Sequence, residues 1–209
     1  MLLPLTDFSA LLGINLVLCA ACLRLLGWQR GVNAEIRPFG KWIVLGIFTV
    51  FWWPVGSAHL PIAGYIRGIS SDLSITLVAL ACIVSWRALL GFDPLDQRNL
   101  TALWVAVSAT ALVLYPLALG WGNWDPYRLG WGSTGIWLGL LSLSIVCWLN
   151  SVRLLPLLIA LAVLAWSTGV LESTNLWDYL IDPWLAMIAI FQCVRVGIKT
   201  LLRRLSPVR

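Results

Sequence analysis

The residues best suited to chemistry stand in two short polar stretches. Gly122-Asn123-Trp124-Asp125-Pro126-Tyr127-Arg128 separates two long apolar runs, and Asn175-Leu176-Trp177-Asp178-Tyr179 separates two more. Each carries Asn, Trp, Asp and Tyr in that order. Aromatic rings can cover the apolar faces of a sugar, while Asn amides and carboxylates hold its hydroxyls with directional bonds. Arg67 and Arg128 could hold a phosphate, to which a planar guanidinium is well matched. A carboxylate so placed could also act as a general base. The candidate binding set is therefore Asn123, Trp124, Asp125 and Arg128 from the first stretch and Asn175, Trp177 and Asp178 from the second. Glu172, Arg67 and His59, the single histidine, complete it. The spacing compels no reaction, so no catalytic residue is assigned. The competing reading is structural: Trp and Tyr form interfacial belts, aspartates cap helices and arginines pair with them. The repeated order marks either a duplicated helical hairpin or a coincidence in a chain with 14 tryptophans.

Several chemistries are excluded. One histidine cannot supply bis-histidine haem ligation or a two-histidine zinc motif. No Walker or Rossmann glycine pattern is present. Ser108 or Ser144 could be paired with His59 as an intramembrane protease, but neither has a glycine-flanked nucleophile context. Seven spans with an outer N-terminus would suit a microbial rhodopsin, yet Lys199 falls at the end of the last apolar run and Arg195 stands where an Asp is needed. The five cysteines, Cys19, Cys22, Cys82, Cys147 and Cys193, all fall inside apolar runs and read as packing residues rather than a disulfide or redox framework. No cofactor and no metal is expected.

The elements that must position these residues follow from composition. The chain has 209 residues, 60% hydrophobic and 11% charged, with a mean hydropathy of +0.90. A soluble domain carries about 25% charged residues. So much apolar surface needs lipid as its solvent. Seven segments approach the roughly 20 apolar residues of a membrane helix. They lie near 8–28, 42–60, 73–90, 100–120, 133–150, 154–171 and 183–201. The expected fold class is an all-α integral membrane protein, a compact bundle of about seven transmembrane helices forming one domain over 1–209. No Lys or Arg precedes the first run, so that run reads as a retained helix rather than a cleaved signal.

Threading seven spans places twelve of the 14 Lys and Arg residues on one side and leaves only Arg67 and Arg128 on the other. By the positive-inside rule the N-terminus is outside and the C-terminus cytoplasmic. The compact loops and this split point to a bacterial inner membrane. The net charge of +5 is spread over several loops and does not suggest nucleic acid. Asp7, Asp72, Asp125, Glu172, Asp178 and Asp182 fall outside, together with His59 and most of the loop tryptophans.

Local signals refine the bundle. Trp53-Pro54, followed by Pro61, predicts a second helix broken near Pro54. Asn15 reads as interhelical hydrogen-bonding glue. Asp72 and Asn99 read as caps of the third and fourth spans, and Asp182-Pro183 as the start of the seventh. The glycines of Gly135-Ile136-Trp137-Leu138-Gly139 read as a close approach inside the bundle rather than to a partner. Function is expected at the outer face: binding of a polar lipid or lipid-linked saccharide, as a component of envelope assembly. The alternatives are a small transporter using Asn15, Gln192 and Arg195 near the midplane, or a non-catalytic subunit that scaffolds a membrane protein partner.

Overall fold

A computed structural model of the chain describes residues 5–25, 37–90 and 96–205. The stretch 26–36, with Arg30 and Glu35, and the part of the inner turn up to residue 95 lie outside the described residues, as do 1–4 and 206–209. Nine α-helices run through the described residues. They are α1 (Leu5–Leu25), α2 (Arg37–Trp52), α3 (Ile62–Ser70), α4 (Ile75–Leu90), α5 (Gln97–Ala118), α6 (Thr134–Leu149), α7 (Leu154–Ser167), α8 (Leu176–Leu180) and α9 (Pro183–Leu205). A 3-10 helix, Pro126–Trp131, sits between α5 and α6. The only strands among these residues are β1 (Pro54–Val55) and β2 (Leu60–Pro61), paired antiparallel.

Seven of the helices fall on the seven apolar segments. Three of these, α1, α5 and α9 over Pro183–Leu202, are long and apolar enough to cross a membrane. The others, α2, α4, α6 and α7, are apolar but only 14–16 residues long. Sixteen residues rise about 24 Å, short of the about 30 Å of a hydrocarbon core. The outer surface is apolar as well: Leu112, Leu141, Trp148, Leu164 and Phe191 are all exposed. That distribution is consistent with a membrane protein, whose surroundings are as apolar as its core.

The core forms where α1 packs on α4, α5 on α9, and α7 on α4, α5 and α6. Leu103, Leu158, Leu185 and Ala189 are buried at its centre. Asn15 is fully buried and donates from Nδ2 to the Phe48 carbonyl at 3.0 Å, tying α1 to α2. The second apolar segment ends at Trp52, before Pro54, rather than at 60. Proline lacks the N–H that would continue the helix, and the chain turns through β1, β2 and the short α3 instead.

Three local expectations are corrected. Asp72 does not cap α4; Ser74 does, accepting from the Leu77 N–H at 3.2 Å. Asp96, not Asn99, caps α5, accepting from the Asn99 N–H at 2.7 Å. Asn99 Oδ1 instead accepts from the N–H groups of Arg153 and Leu154 at 2.8 and 3.0 Å, fastening the start of α7 to α5. The glycine pair of α6 does not mediate a close helix approach. A Cβ on Gly139 would meet nothing within 4 Å, and one on Gly135 only Ser133 and Leu129. Asp182 does begin α9, accepting from the Leu185 N–H at 2.8 Å; it also accepts from both the N–H and hydroxyl of Ser74, so one buried carboxylate joins the starts of α4 and α9.

Candidate functional site

The two polar stretches fold by the same local device. Asp125 accepts from the Tyr127 N–H at 2.9 Å and caps the 3-10 helix, with Pro126 at its first turn. Asn175 accepts from the Trp177 N–H at 2.9 Å and caps α8. The caps therefore fall on the third shared residue type in one stretch and on the first in the other. The repeated order therefore does not place equivalent residues in equivalent positions.

The two stretches nevertheless dock on one another. Asn175 Nδ2 donates to the Tyr127 carbonyl at 3.0 Å, and Trp177 Nε1 to the Pro126 carbonyl at 3.1 Å. The Tyr127 hydroxyl lies 2.8 and 3.0 Å from the two Asp178 oxygens. Gly130 lets its backbone meet the Asn175 and Trp177 side chains, because a Cβ there would overlap the Asn175 amide and the Trp177 ring. The Ser173 hydroxyl donates to Asp178 at 2.5 Å while accepting from the Asn175 N–H at 3.0 Å. Tyr179, fully buried, donates to the Ser173 carbonyl at 3.0 Å and fixes the strand of chain leading into α8. Burial first, and then the Asp178 carboxylate, push the Tyr127 hydroxyl well above its usual range. It therefore remains a protonated donor.

A second cluster abuts the first through residues 172 and 173. Arg67 on α3 donates from Nη1 to Asp7 at 2.6 Å, from Nε to Asp72 at 3.0 Å and from Nη2 to Glu172 at 2.6 Å. Asp72 also accepts from the Glu172 N–H at 3.2 Å. One guanidinium thus gathers three carboxylates from α1, the start of α4 and the loop after α7. Each of the three guanidinium nitrogens donates to a carboxylate, so Arg67 organises this part of the fold.

The six acidic residues expected outside now sort themselves. Asp125 and Asp182 are caps, and Asp7, Asp72 and Glu172 share Arg67. Asp178 is held by two hydroxyls, caps no helix and has no cation against it among the described residues. It is half-buried. A carboxylate has about four lone-pair positions, and Tyr127 and Ser173 leave room for another donor. Beside it, the Tyr127 ring meets the exposed Trp131 edge-on, with centroids 5.4 Å apart.

Of the residues singled out from sequence, Asn175, Trp177 and Asp178 are brought together. Asn123 and Trp124 are exposed on the same loop, and Arg128 is exposed with no carboxylate partner among the described residues. His59 sits on the β1–β2 turn at φ 49°, where its N–H donates to the Gly56 carbonyl at 3.3 Å, and among the described residues it is not bonded to the docked pair. Sequence reasoning missed Ser173 and the bridging role of Tyr127. The signal for Ser173 was its place two residues before a capping Asn. No protein-family model, curated protein or solved structure matches the chain.

The division between Asp125 and Asp178 has a direct test. Asn caps a helix about as well as Asp, so Asp125→Asn should change thermal stability in detergent by no more than about 0.5 kcal/mol and leave function intact. Loss of function in Asp125→Asn at normal expression would show that its charge does more than cap.

Proposed function

We propose that the chain is a multi-pass protein of a bacterial inner membrane, with seven crossing helices, an outer N-terminus and a cytoplasmic C-terminus. Its docked outer loops bind the polar headgroup of a lipid or a lipid-linked saccharide, as a component of envelope assembly. The observation that carries the reading is the Asp178 carboxylate, held by two hydroxyls and no cation, beside the Tyr127–Trp131 ring pair. A carboxylate that accepts from hydroxyls next to an exposed aromatic surface suits a hydroxyl-rich headgroup. Trp177, Asn175 and Tyr179 hold that carboxylate in place. The four shorter helices cross where the bilayer thins locally or their flanking residues reach the interface.

The arrangement is tested in two parts. A reporter active only outside the cytoplasmic membrane should be active when fused after Arg128 or after Asp178, and inactive after Arg98 or Arg204. Activity after Arg98 would defeat the seven-span topology. In a variant whose native cysteines are replaced, Ser173→Cys should react with a membrane-impermeant maleimide added to whole spheroplasts. Lipids extracted from the same cells and added back should slow that labelling. Unchanged labelling would remove the support for a headgroup site.

A further inference from the structure

We propose a second lipid site in the same molecule: a lateral slot between α5 and α6 that takes one tail of an anionic glycerophospholipid, with its phosphate at the Arg98 end. The slot is a consequence of helix packing. α5 packs on α7 and α9, and α6 packs on α7 and the 3-10 helix, so α5 and α6 make little direct contact. Two hollows fill the gap and adjoin at Ala106, Leu143 and Leu155, which line both; we read them as one slot floored by α7. The end near Arg98 is wide and open, about 780 Å³; the far end narrows to about 60 Å³ under Trp177 and Leu180. From Gln97 to Thr110 along α5 the slot runs about 20 Å, somewhat more than the about 15 Å of one leaflet's hydrocarbon.

Shape and charge select the occupant. A polypeptide helix, about 10 Å across, does not fit the narrow end, whereas a single hydrocarbon tail does. The walls are apolar apart from Thr76 and Thr110 at the narrow end and the polar mouth. At the mouth, Arg98 is exposed and has no ion pair among the described residues. The neighbouring Asp96 carboxylate accepts from the Asn99 N–H and Nδ2, each at 2.7 Å, and feels the Arg98 charge without forming an ion pair with it among the described residues. Arg153, whose guanidinium lies 5.7 Å over the Trp148 ring, adds a second cation where α6 turns into α7. Basic pockets between membrane helices attract anionic headgroups, so a phosphatidylglycerol-type lipid is favoured over a zwitterionic one. This site is independent of Asp178.

The full chain, stripped of lipid in mild detergent, is offered dioleoylphosphatidylglycerol or dioleoylphosphatidylcholine in mixed micelles, and bound lipid is counted by native mass spectrometry. Wild type should retain one phosphatidylglycerol with at least tenfold preference. Ala106→Trp, or Leu143→Trp from the opposite wall should the first not fold, should lower retention at least tenfold with helical circular dichroism unchanged. Arg98→Gln should keep tail binding but bring the preference to within about twofold. Asp178→Asn should leave all of this unchanged. Equal retention of both lipids by wild type, wild-type retention in a folded Trp variant, or undiminished preference in Arg98→Gln would overturn the proposal. So would a dimer that Ala106→Trp converts to monomer, since a second copy would then fill the slot.

Discussion

Arg67→Met should be among the most damaging single substitutions in the molecule, lowering stability in detergent by on the order of 3 kcal/mol. The reason is the number of carboxylates it leaves behind. Asp7, Asp72 and Glu172 are all within 3.0 Å of that one guanidinium, and Arg67 retains only 20% side-chain exposure. Without the cation, three like charges face one another across a partly buried space. Removing a single carboxylate is milder, because two partners remain; Glu172→Gln should be mildest, since its side chain is 63% exposed and solvent screens it. The double variant Arg67→Met/Asp72→Asn should recover part of the loss, because one repelling charge has gone. Thermal unfolding followed by circular dichroism compares all three variants with wild type. A loss in Arg67→Met no larger than in Glu172→Gln would show that the cluster contributes little.

Gly130→Val should separate the two docked stretches. The backbone at Gly130 is buried against the Asn175 side chain, and even a Cβ would overlap it. Overpacking of a closed contact costs about 1–3 kcal/mol. The displaced loops would also lose the bonds from Asn175 to the Tyr127 carbonyl and from Trp177 to the Pro126 carbonyl, each about 1 kcal/mol. The total is on the order of 4 kcal/mol locally. Most of it should appear as faster hydrogen exchange in 122–132 and 171–180 rather than as global unfolding, because α5–α9 and α1–α4 pack independently of this contact. Gly132→Ala provides the contrast: its Cβ would meet nothing, although φ is +88°. It should cost only the strain of that backbone, about 1 kcal/mol. Unchanged exchange in Gly130→Val would mean the stretches do not depend on their contact.

Much of the architecture was legible because it rests on short-range rules. Runs of apolar residues located the seven longer helices, Trp53-Pro54 located the break after α2, and Asp182-Pro183 located the start of α9. Caps were harder, since a polar residue near a helix start can serve that helix or another. Asn99 serves α7 from α5, and Asp72 serves Arg67 while Ser74 takes the cap. The glycines of α6 followed a pattern that has meaning only when a helix lies opposite, and among the described residues none meets them. The site was legible as residue types but not as contacts. Nothing in the spacing says that Arg67 meets Asp7, 60 positions away, or that Tyr127 meets Asp178. Those pairings depend on which helix ends share a side of the bundle and on Gly130 leaving space for the Asn175 and Trp177 side chains.

The central claim is that Asp178, presented by the docked loops, holds the hydroxyl-rich headgroup of a lipid. Its most direct test is the lipid that stays with the protein through purification. Wild-type protein, isolated from native membranes in mild detergent and examined by native mass spectrometry, should carry a saccharide-bearing lipid enriched over the bulk membrane. Asp178→Asn, which keeps the shape of the side chain but not its charge, should lose that lipid at least tenfold while Asp125→Asn keeps it, with all three proteins melting within a few degrees of one another. Equal retention of the same lipid by wild type and Asp178→Asn would contradict the account.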